Sequence, residues 1–321
     1  MLTAYSILKK IMEIITNSWE YILTLVREGK NVTHFMLPIY LASLALERLI
    51  YYFTEERYNA KDALTSLSMS AFNNLFGVFI GGLVFYNIYM FLYDNFRVWD
   101  MPYTWWGWVL VFLAHDLAYY TDHRISHRVG LIWALHSVHH SSQEFNVSTA
   151  NRGGFMDALF GTFTMYLMAV VGIDMLQFSM MITVTNLFGI FNHTKVVKNM
   201  GFLEYILATP SNHSVHHASN TKYLDKNYGQ VLIIWDILFN SFKREDHETP
   251  IYGLTKNIET SNPVYVEFAG FKWLFDQMKT ATKWSDKLSY LIMPPGWSHT
   301  GEHTTVEVLT LNKPIHAVQE V

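Results

Sequence analysis

Four stretches concentrate the imidazoles of this chain: HDLAYYTDHRISH (115–127), LHSVHHSS (135–142), FNHTK (191–195) and SNHSVHHASN (211–220). Neutral imidazole binds a transition metal through one nitrogen and leaves the other to donate a hydrogen bond. His-x-x-His-His occurs twice, where a shuffled chain of this histidine content would give about 0.03 copies. Helical residues at i, i+3 and i+4 share a face. His136, His139 and His140 therefore project together from one helix, and His213, His216 and His217 from another. His123 and His127, four apart, make a third group. A single imidazole on an apolar helix is ordinarily a hydrogen-bonded core residue. Eight gathered together would each present a polar N–H that needs a partner, and metal coordination meets that need. Eight ligands exceed what one tetrahedral or octahedral ion uses, so two metal ions are expected. An almost all-imidazole shell suits iron, zinc, copper or nickel, and residue chemistry alone does not choose among them. His34, His247, His299, His303 and His316 read as ordinary surface residues.

On a helix over 115–127, Asp116 falls near the angular position of His123, with Tyr119 and Tyr120 beside it. A carboxylate there can accept the outer N–H of a ligating imidazole and fix its tautomer, or it can be a polar residue of a helix bundle. His115 lies on the same flank, either a tenth ligand or a structural residue. Asn227 and Asp236, in NYGQVLIIWD, read as residues supporting the ligands or as packing residues. Glu144, Asn146 and Arg152 follow the second motif and are placed to line a cytoplasmic mouth, where Arg152 holds a lipid phosphate or serves as a positive anchor.

The elements that must position these groups are apolar. Half of the 321 residues are hydrophobic and only 16% are charged, against about 25% charged in soluble domains; the mean hydropathy is +0.12. The aromatic and aliphatic content excludes disorder. The absence of cysteine excludes a disulfide scaffold, a thiolate zinc site and an iron–sulfur protein. A net charge of −4 gives no sign of nucleic-acid binding.

Residues 1–30 read as an amphipathic helix on the membrane or packed on a bundle. Five stretches then have membrane character: 35–53, 67–93, 103–122, 155–173 and 175–192. The third opens on Tyr103, Trp105, Trp106 and Trp108, an interfacial aromatic cluster. The last two meet at Gly172-Ile173-Asp174, and their lengths fit either a short spanning pair or a re-entrant hairpin. Arg124, Arg128, Arg152, Lys195 and Lys198 outnumber Arg97, which places the histidine side in the cytoplasm. Beyond residue 195 no run is long enough to span. Short helices are expected at 202–208 and 229–242, one or two surface helices over 263–292, and a polar tail over 298–321. No boundary would let either half stand alone, because the second half carries ligands that the first half needs.

The histidine text resembles the fatty acid hydroxylase/sterol desaturase superfamily of membrane di-iron oxygenases. That pattern is His-x3-4-His, His-x2-3-His-His, a further His, then His-x2-His-His. Here it reads HRISH (123–127), HSVHH (136–140), His193 and HSVHH (213–217). The likeness continues in DLAYYTDHR (116–124), HHSSQEFNVSTANR (139–152) and DKNYGQVLIIWDILF (225–239), and covers roughly 60–297. TPSNHSVHH (209–217) and PPGW (294–297) resemble the alkylglycerol monooxygenase-like branch. The resemblance adds His193 to the ligand set and names iron. Where some members carry another histidine four residues on, this chain has Val197, so the implied set is nine.

The resulting expectation is an all-α, polytopic membrane helical bundle with a cytoplasmic helical cap carrying the dimetal site. Its units would be the N-terminal helix 1–30, one membrane-embedded hydroxylase domain 31–297 and the tail 298–321. The expected chemistry is hydroxylation of a C–H bond of a fatty acyl, ether-lipid or sterol substrate by O2 at two iron ions. No Gly-rich nucleotide fingerprint, flavin site or haem motif is visible, so electrons come from a separate reductase. Desaturation at the same centre is the alternative within enzymes. A non-catalytic membrane metal-binding or transport protein is the alternative outside them.

Overall fold

Apolar runs fold into helices whose ends are set by local capping, and two of those ends decide where the histidines lie. A computed structural model describes residues 36–54, 57–80, 84–154 and 163–311, with Lys9 and Met156 besides. The expected N-terminal helix over 1–30 (apart from Lys9), the end of the tail at 312–321, and 155–162 of the fourth expected span (apart from Met156) lie outside the described residues. Among the described residues the chain is all α, with no strand and two isolated bridges, Leu207 with Leu232 and Ala218 with Tyr252.

The first half supplies α1 (Met36–Phe53), α2 (Ala60–Ile80), α3 (Tyr86–Phe96), α4 (Trp105–Arg128) and α5 (Gly130–His140). A 3-10 turn over Val147–Asn151 precedes α6 (Met165–Val171) and α7 (Met175–Asn192). The Thr104 hydroxyl caps α4 by accepting from the Gly107 N–H, and Asp174 with Gln177 forms a capping box on α7. At this end the loop after α3 meets the turn between α6 and α7: the Val98 N–H donates to the Val170 carbonyl and the Met101 N–H to that of Gly172, both at 2.9 Å. Gly172 sits at φ 96°, and a Cβ there would stand 1.8 Å from the Trp99 carbonyl oxygen, so only glycine fits. The core between α3, α4, α6 and α7 is built from Tyr89, Val111, Met168, Phe178 and Met181. The histidines occupy the opposite ends of α4 and α7.

Of the five expected spans, α1 and α7 are long and apolar enough to cross a membrane by length and composition. The stretch 67–93 divides between α2 and α3, and all of 103–122 from Trp105 onward lies within the 24-residue α4, whose polar second half lowers its hydropathy. Leu37, Leu41, Leu46 and Leu49 of α1 are all more than half exposed.

The second half is built from a 3-10 turn over Gly201–Tyr205, α8 (Pro210–His216), α9 (Ile234–Leu238), α10 (Pro263–Thr280), α11 (Trp284–Ile292) and α12 (Val306–Leu311). The expected helix over 202–208 is only a 3-10 turn, because Thr209 and Pro210 begin α8 at once. The expected 229–242 helix shrinks to five residues, since the Val231 and Leu232 N–H groups are taken by Asp116. The tail is not uniformly coil: it carries α12, and Glu307 on α12 pairs with Arg128. Helix α10 lies against α5, where a Cβ on Gly270 would stand 1.9 Å from the Ala134 carbonyl oxygen.

Candidate metal centre

Helix α4 delivers His123 and His127 from its last turns, α5 delivers His136, His139 and His140, α7 ends on His193, and α8 delivers His213, His216 and His217. The structure gathers all nine and divides them in two. His123, His127, His136, His140 and His216 form one group, and His139, His193, His213 and His217 the other; within each, one nitrogen per ring lies within 4.8 Å of the rest. The division runs through each His-x-x-His-His motif. The i, i+4 pair goes to one group and the middle histidine crosses to the other, so α5 and α8 contribute in opposite senses. Both motifs thereby serve both groups.

Four of the outer nitrogens are committed to the backbone, while His213 Nδ1 is buried without a partner. His123 Nδ1 donates to the Tyr228 carbonyl at 2.7 Å, His139 Nδ1 to that of Arg152 at 2.9 Å, His193 Nδ1 to Gly189 at 2.8 Å and His216 Nδ1 to Lys226 at 2.8 Å. His127 Nδ1 stands 3.3 Å from the Asp225 carboxylate, whose other oxygen meets Arg128 Nε at 3.1 Å. With Nδ1 the donor, Nε2 is left with a lone pair. His139 Nε2 and His193 Nε2 nevertheless face each other at 3.3 Å. Neither has a proton to give, and both groups are held neutral: burial, the dominant cause, lowers His139 to about 4 and His193 to about 3. Burial and the neighbouring imidazoles likewise push His123, His136, His140, His213, His216 and His217 well below the usual histidine value. Buried lone pairs turned on one another repel unless a cation lies between them. The Nε2 atoms of His127, His140 and His216 are buried with no hydrogen-bond partner. The donor set therefore fits metal ions, five imidazoles around one position and four around another.

The supporting residues act mostly at one remove from the imidazoles. The Asp116 carboxylate bonds to residues 231–235 rather than to a ligand nitrogen. Its carboxylate accepts from the N–H groups of Val231 and Leu232, both at 3.1 Å, and from Trp235 Nε1 at 2.9 Å. Asp236 does the complementary work, accepting from the Tyr228 and Gly229 N–H groups at 2.8 Å each and from Ser241 Oγ at 2.6 Å. Together they shape the loop whose Tyr228 carbonyl holds His123. Asn227, at φ 57°, ties that loop to α8 by donating to the carbonyls of Asn212 and Lys243. The Tyr119 ring lies edge-on to His123, with centroids 5.4 Å apart. His115 belongs to neither group; it is fully buried in α4, packed on Phe178.

Arg152 is likewise not at an open mouth. It is 3% exposed and bound to Asp62 at 2.7 Å, while Asp62 also accepts from Ser142 Oγ. Asn146 caps the 3-10 turn beside it, and Glu144 lies 3.9 Å from Lys195. His299 bonds to the Tyr290 hydroxyl on α11, and His303 accepts from the Ser298 N–H within the tail.

Sequence reasoning gave no role to Glu47. This carboxylate in α1 is 3% exposed and accepts from the Val147 N–H at 2.8 Å and from Thr194 Oγ1, next to His193, at 2.6 Å. Its signal was there to read: a lone carboxylate in an apolar run. Asp225 carried no such signal before the fold brought it to His127.

A cavity of about 360 Å³ is lined by His127, His140 and His216 of the five-imidazole group, by His217 of the other, and by Trp273, Trp297 and Val306.

A sequence model of the fatty acid hydroxylase family matches residues 108–241, which contain all nine histidines. Alkylglycerol monooxygenase of Xenopus tropicalis is 38% identical over 240 residues, 74% of this chain and 52% of that protein. The human protein of the same name is 33% identical, over 81% and 58%. Ornithine lipid hydroxylase OlsE of Rhizobium tropici is 32% identical over 138 residues, 42% of this chain and 41% of that protein. The chain spans about half the length of the curated relatives it matches. No solved structure matches it.

Proposed function

Residues 108–241 of this chain belong to the fatty acid hydroxylase family, and on that premise we propose that the protein is a membrane oxygenase that hydroxylates a C–H bond of a lipid with O2. The nine histidines are its metal ligands and the resident metal is iron, two ions, one in each group. The observation that carries this reading is the pair of inward lone pairs on His139 and His193, whose outer nitrogens are both spent on carbonyls. Iron bound there would supply the reductive activation of O2. The chain's own residues hold His123, His139, His193 and His216 in one tautomer, bury the imidazoles and keep bulk water from the reacting carbon. Electrons come from a separate reductase.

The names of the relatives favour an amphipathic substrate, an ether lipid or another lipid with a polar backbone. Exposed leucines on α1, and the placement of histidines and tryptophans at opposite ends of α4, support a multi-pass protein with its metal end in the cytoplasm. Residues 31–297 would act as one membrane-embedded domain, under a helical cap. The test is iron content together with lipid mass spectrometry in cells expressing the chain. A lipid that gains one oxygen is expected, and a product that only loses two hydrogens points to desaturation. Two bound metal ions with unchanged lipids under aerobic conditions would leave a metal-binding protein and sink the enzyme reading.

A further inference from the structure

We infer that residues 228–239, although too short to span and far from any apolar run of membrane length, dip into the leaflet on the histidine side and press their outer face against acyl chains. The inference rests on reading α4 and α7 as membrane-spanning. Two anchors give the depth. Asp116 lies eleven residues along α4 from Trp105, and Asn186 eleven residues along α7 from Met175. Each corresponds to about 16 Å of helical rise, against about 30 Å of hydrocarbon. Asp116 holds the N–H groups of Val231 and Leu232, and Asn186 accepts from Gln230 Nε2 at 3.0 Å. Two separate helices thus fix residues 230–232 at the same level, well short of the histidine end.

Irregular backbone survives at that depth only if its polar groups are satisfied by protein, and the N–H groups of Tyr228, Gly229, Val231, Leu232 and Ile233 are, although the Tyr228 hydroxyl and Gln230 Oε1 are buried without a partner. The Ala208 N–H donates to the Val231 carbonyl, the Ile233 N–H to that of Ile206, and Asn192 Nδ2 to that of Gln230. Asp236 takes the Tyr228 and Gly229 N–H groups. Trp235 turns its indole N–H inward to Asp116. What remains outward is apolar: Phe202, Ile206, Ile234, Ile237, Leu238 and Phe239 are between 38% and 73% exposed. A water-facing surface of this kind is unfavourable, and the patch is continuous with α4, where Phe239 stacks on Tyr120. Its rim is basic: Arg124 donates to the Phe239 carbonyl and Arg244 lies over Tyr205, at the level where lipid phosphates would sit. Lipid is the occupant that matches both the depth and the rim. The consequence for the centre is direct, because the Tyr228 carbonyl that holds His123 belongs to this immersed loop.

The chain has no cysteine, so single-cysteine variants carry one environment-sensitive fluorophore each. Leu238→Cys reports the patch, Val184→Cys the exposed face of α7 and Lys256→Cys the outer loop. The full chain is reconstituted in phosphatidylcholine–phosphatidylglycerol vesicles, with nitroxide-bearing acyl chains or aqueous iodide as quencher. The Leu238 label is expected to match Val184, with a blue-shifted emission and severalfold stronger quenching by the acyl nitroxide than by iodide, and Lys256 to show the reverse. Phe202→Cys repeats the reading from the neighbouring segment if Leu238→Cys does not fold. A Leu238 label that behaves like Lys256 while Val184 is quenched by lipid overturns the inference and leaves the membrane reading standing. A blue-shifted Leu238 label that neither quencher reaches means that a second copy covers the patch, and also overturns it. A Val184 label open to iodide overturns the membrane reading itself.

Discussion

At His139 and His193 the outer nitrogen is fixed as a donor by a backbone carbonyl, so the inner one is available only as an electron pair. Removing such a ligand takes away an electron-pair donor to the metal rather than packing volume alone. His139→Ala from the four-imidazole group, or His216→Ala from the five, should abolish product and lower iron content. Full activity in either variant would exclude the assignment, and His247→Ala, on the exposed surface, should change neither readout. One step further out, Asp236→Ala strips the acceptor from two buried N–H groups and loosens the carbonyl that aims His123. A loss of about 10- to 100-fold in iron affinity is expected, the usual cost of removing a partner of a ligating histidine; titration of the iron-free variant measures it. The sequence shows that these histidines are ligand-like, through spacing that no ordinary helix needs. It does not show which of them share an ion, because the exchange of His139 and His216 between groups depends on how α5 and α8 face each other. Nor does it reveal Asp116 as a clamp on residues 231–235, since the bonds join positions more than a hundred residues apart.

Helices announced by long apolar runs, α1 and α7 above all, are legible from composition, as is the pair α10 and α11, where Asn262-Pro263 caps the first. The segment from 196 to 262 is not, because its conformation comes from side chains bonding distant backbone: Asn212 to Glu204 and Leu207, Asn227 to Lys243, Asn220 to Thr249. Local propensity says little where such bonds decide the path. Close packing is equally invisible in sequence. Helix α10 approaches α5 only because residue 270 has no side chain, its would-be Cβ falling 2.7 Å from Ser137 Oγ as well as against Ala134. Gly270→Ala must push the two helices apart, at a cost of about 1–3 kcal/mol typical of overpacking. Since α5 carries three of the nine ligands, the thermal midpoint and the iron content should fall together. An unchanged midpoint would mean that α10 merely rests on α5. Glu47 makes a similar point for α1, whose carboxylate ties the helix to both the 3-10 turn and the residue after His193. Glu47→Leu should reduce iron content although it makes α1 more apolar, and retention of full iron would limit Glu47 to packing.

Taken whole, the molecule builds a cage of imidazoles that is stable only while they stay neutral, and this makes its stability depend on acid and metal together. Eight of the nine have their pKa lowered from 6.5, chiefly by burial, with His139 at about 4. The unfolded chain takes up protons on these groups as pH falls through 6.5, while the folded chain does not until much lower. The stability they permit is therefore present above about 6.5 and lost as pH falls through the window towards 4. Each group adds a slope of up to about 1.4 kcal/mol per pH unit there. Metal acts in the same direction as base, since it binds the neutral form and stabilises the fold by mass action. Chelator-treated protein in detergent should thus melt at progressively lower temperature between pH 7 and pH 5. Iron-loaded protein should hold its midpoint further into acid and then drop as iron is released. The gap between the two curves should widen first and close once protons outcompete the metal. Equal midpoints for chelated protein at pH 7 and pH 5 would mean that the imidazoles are not held neutral by the fold, and the electrostatic case for the metal centre would lose its basis.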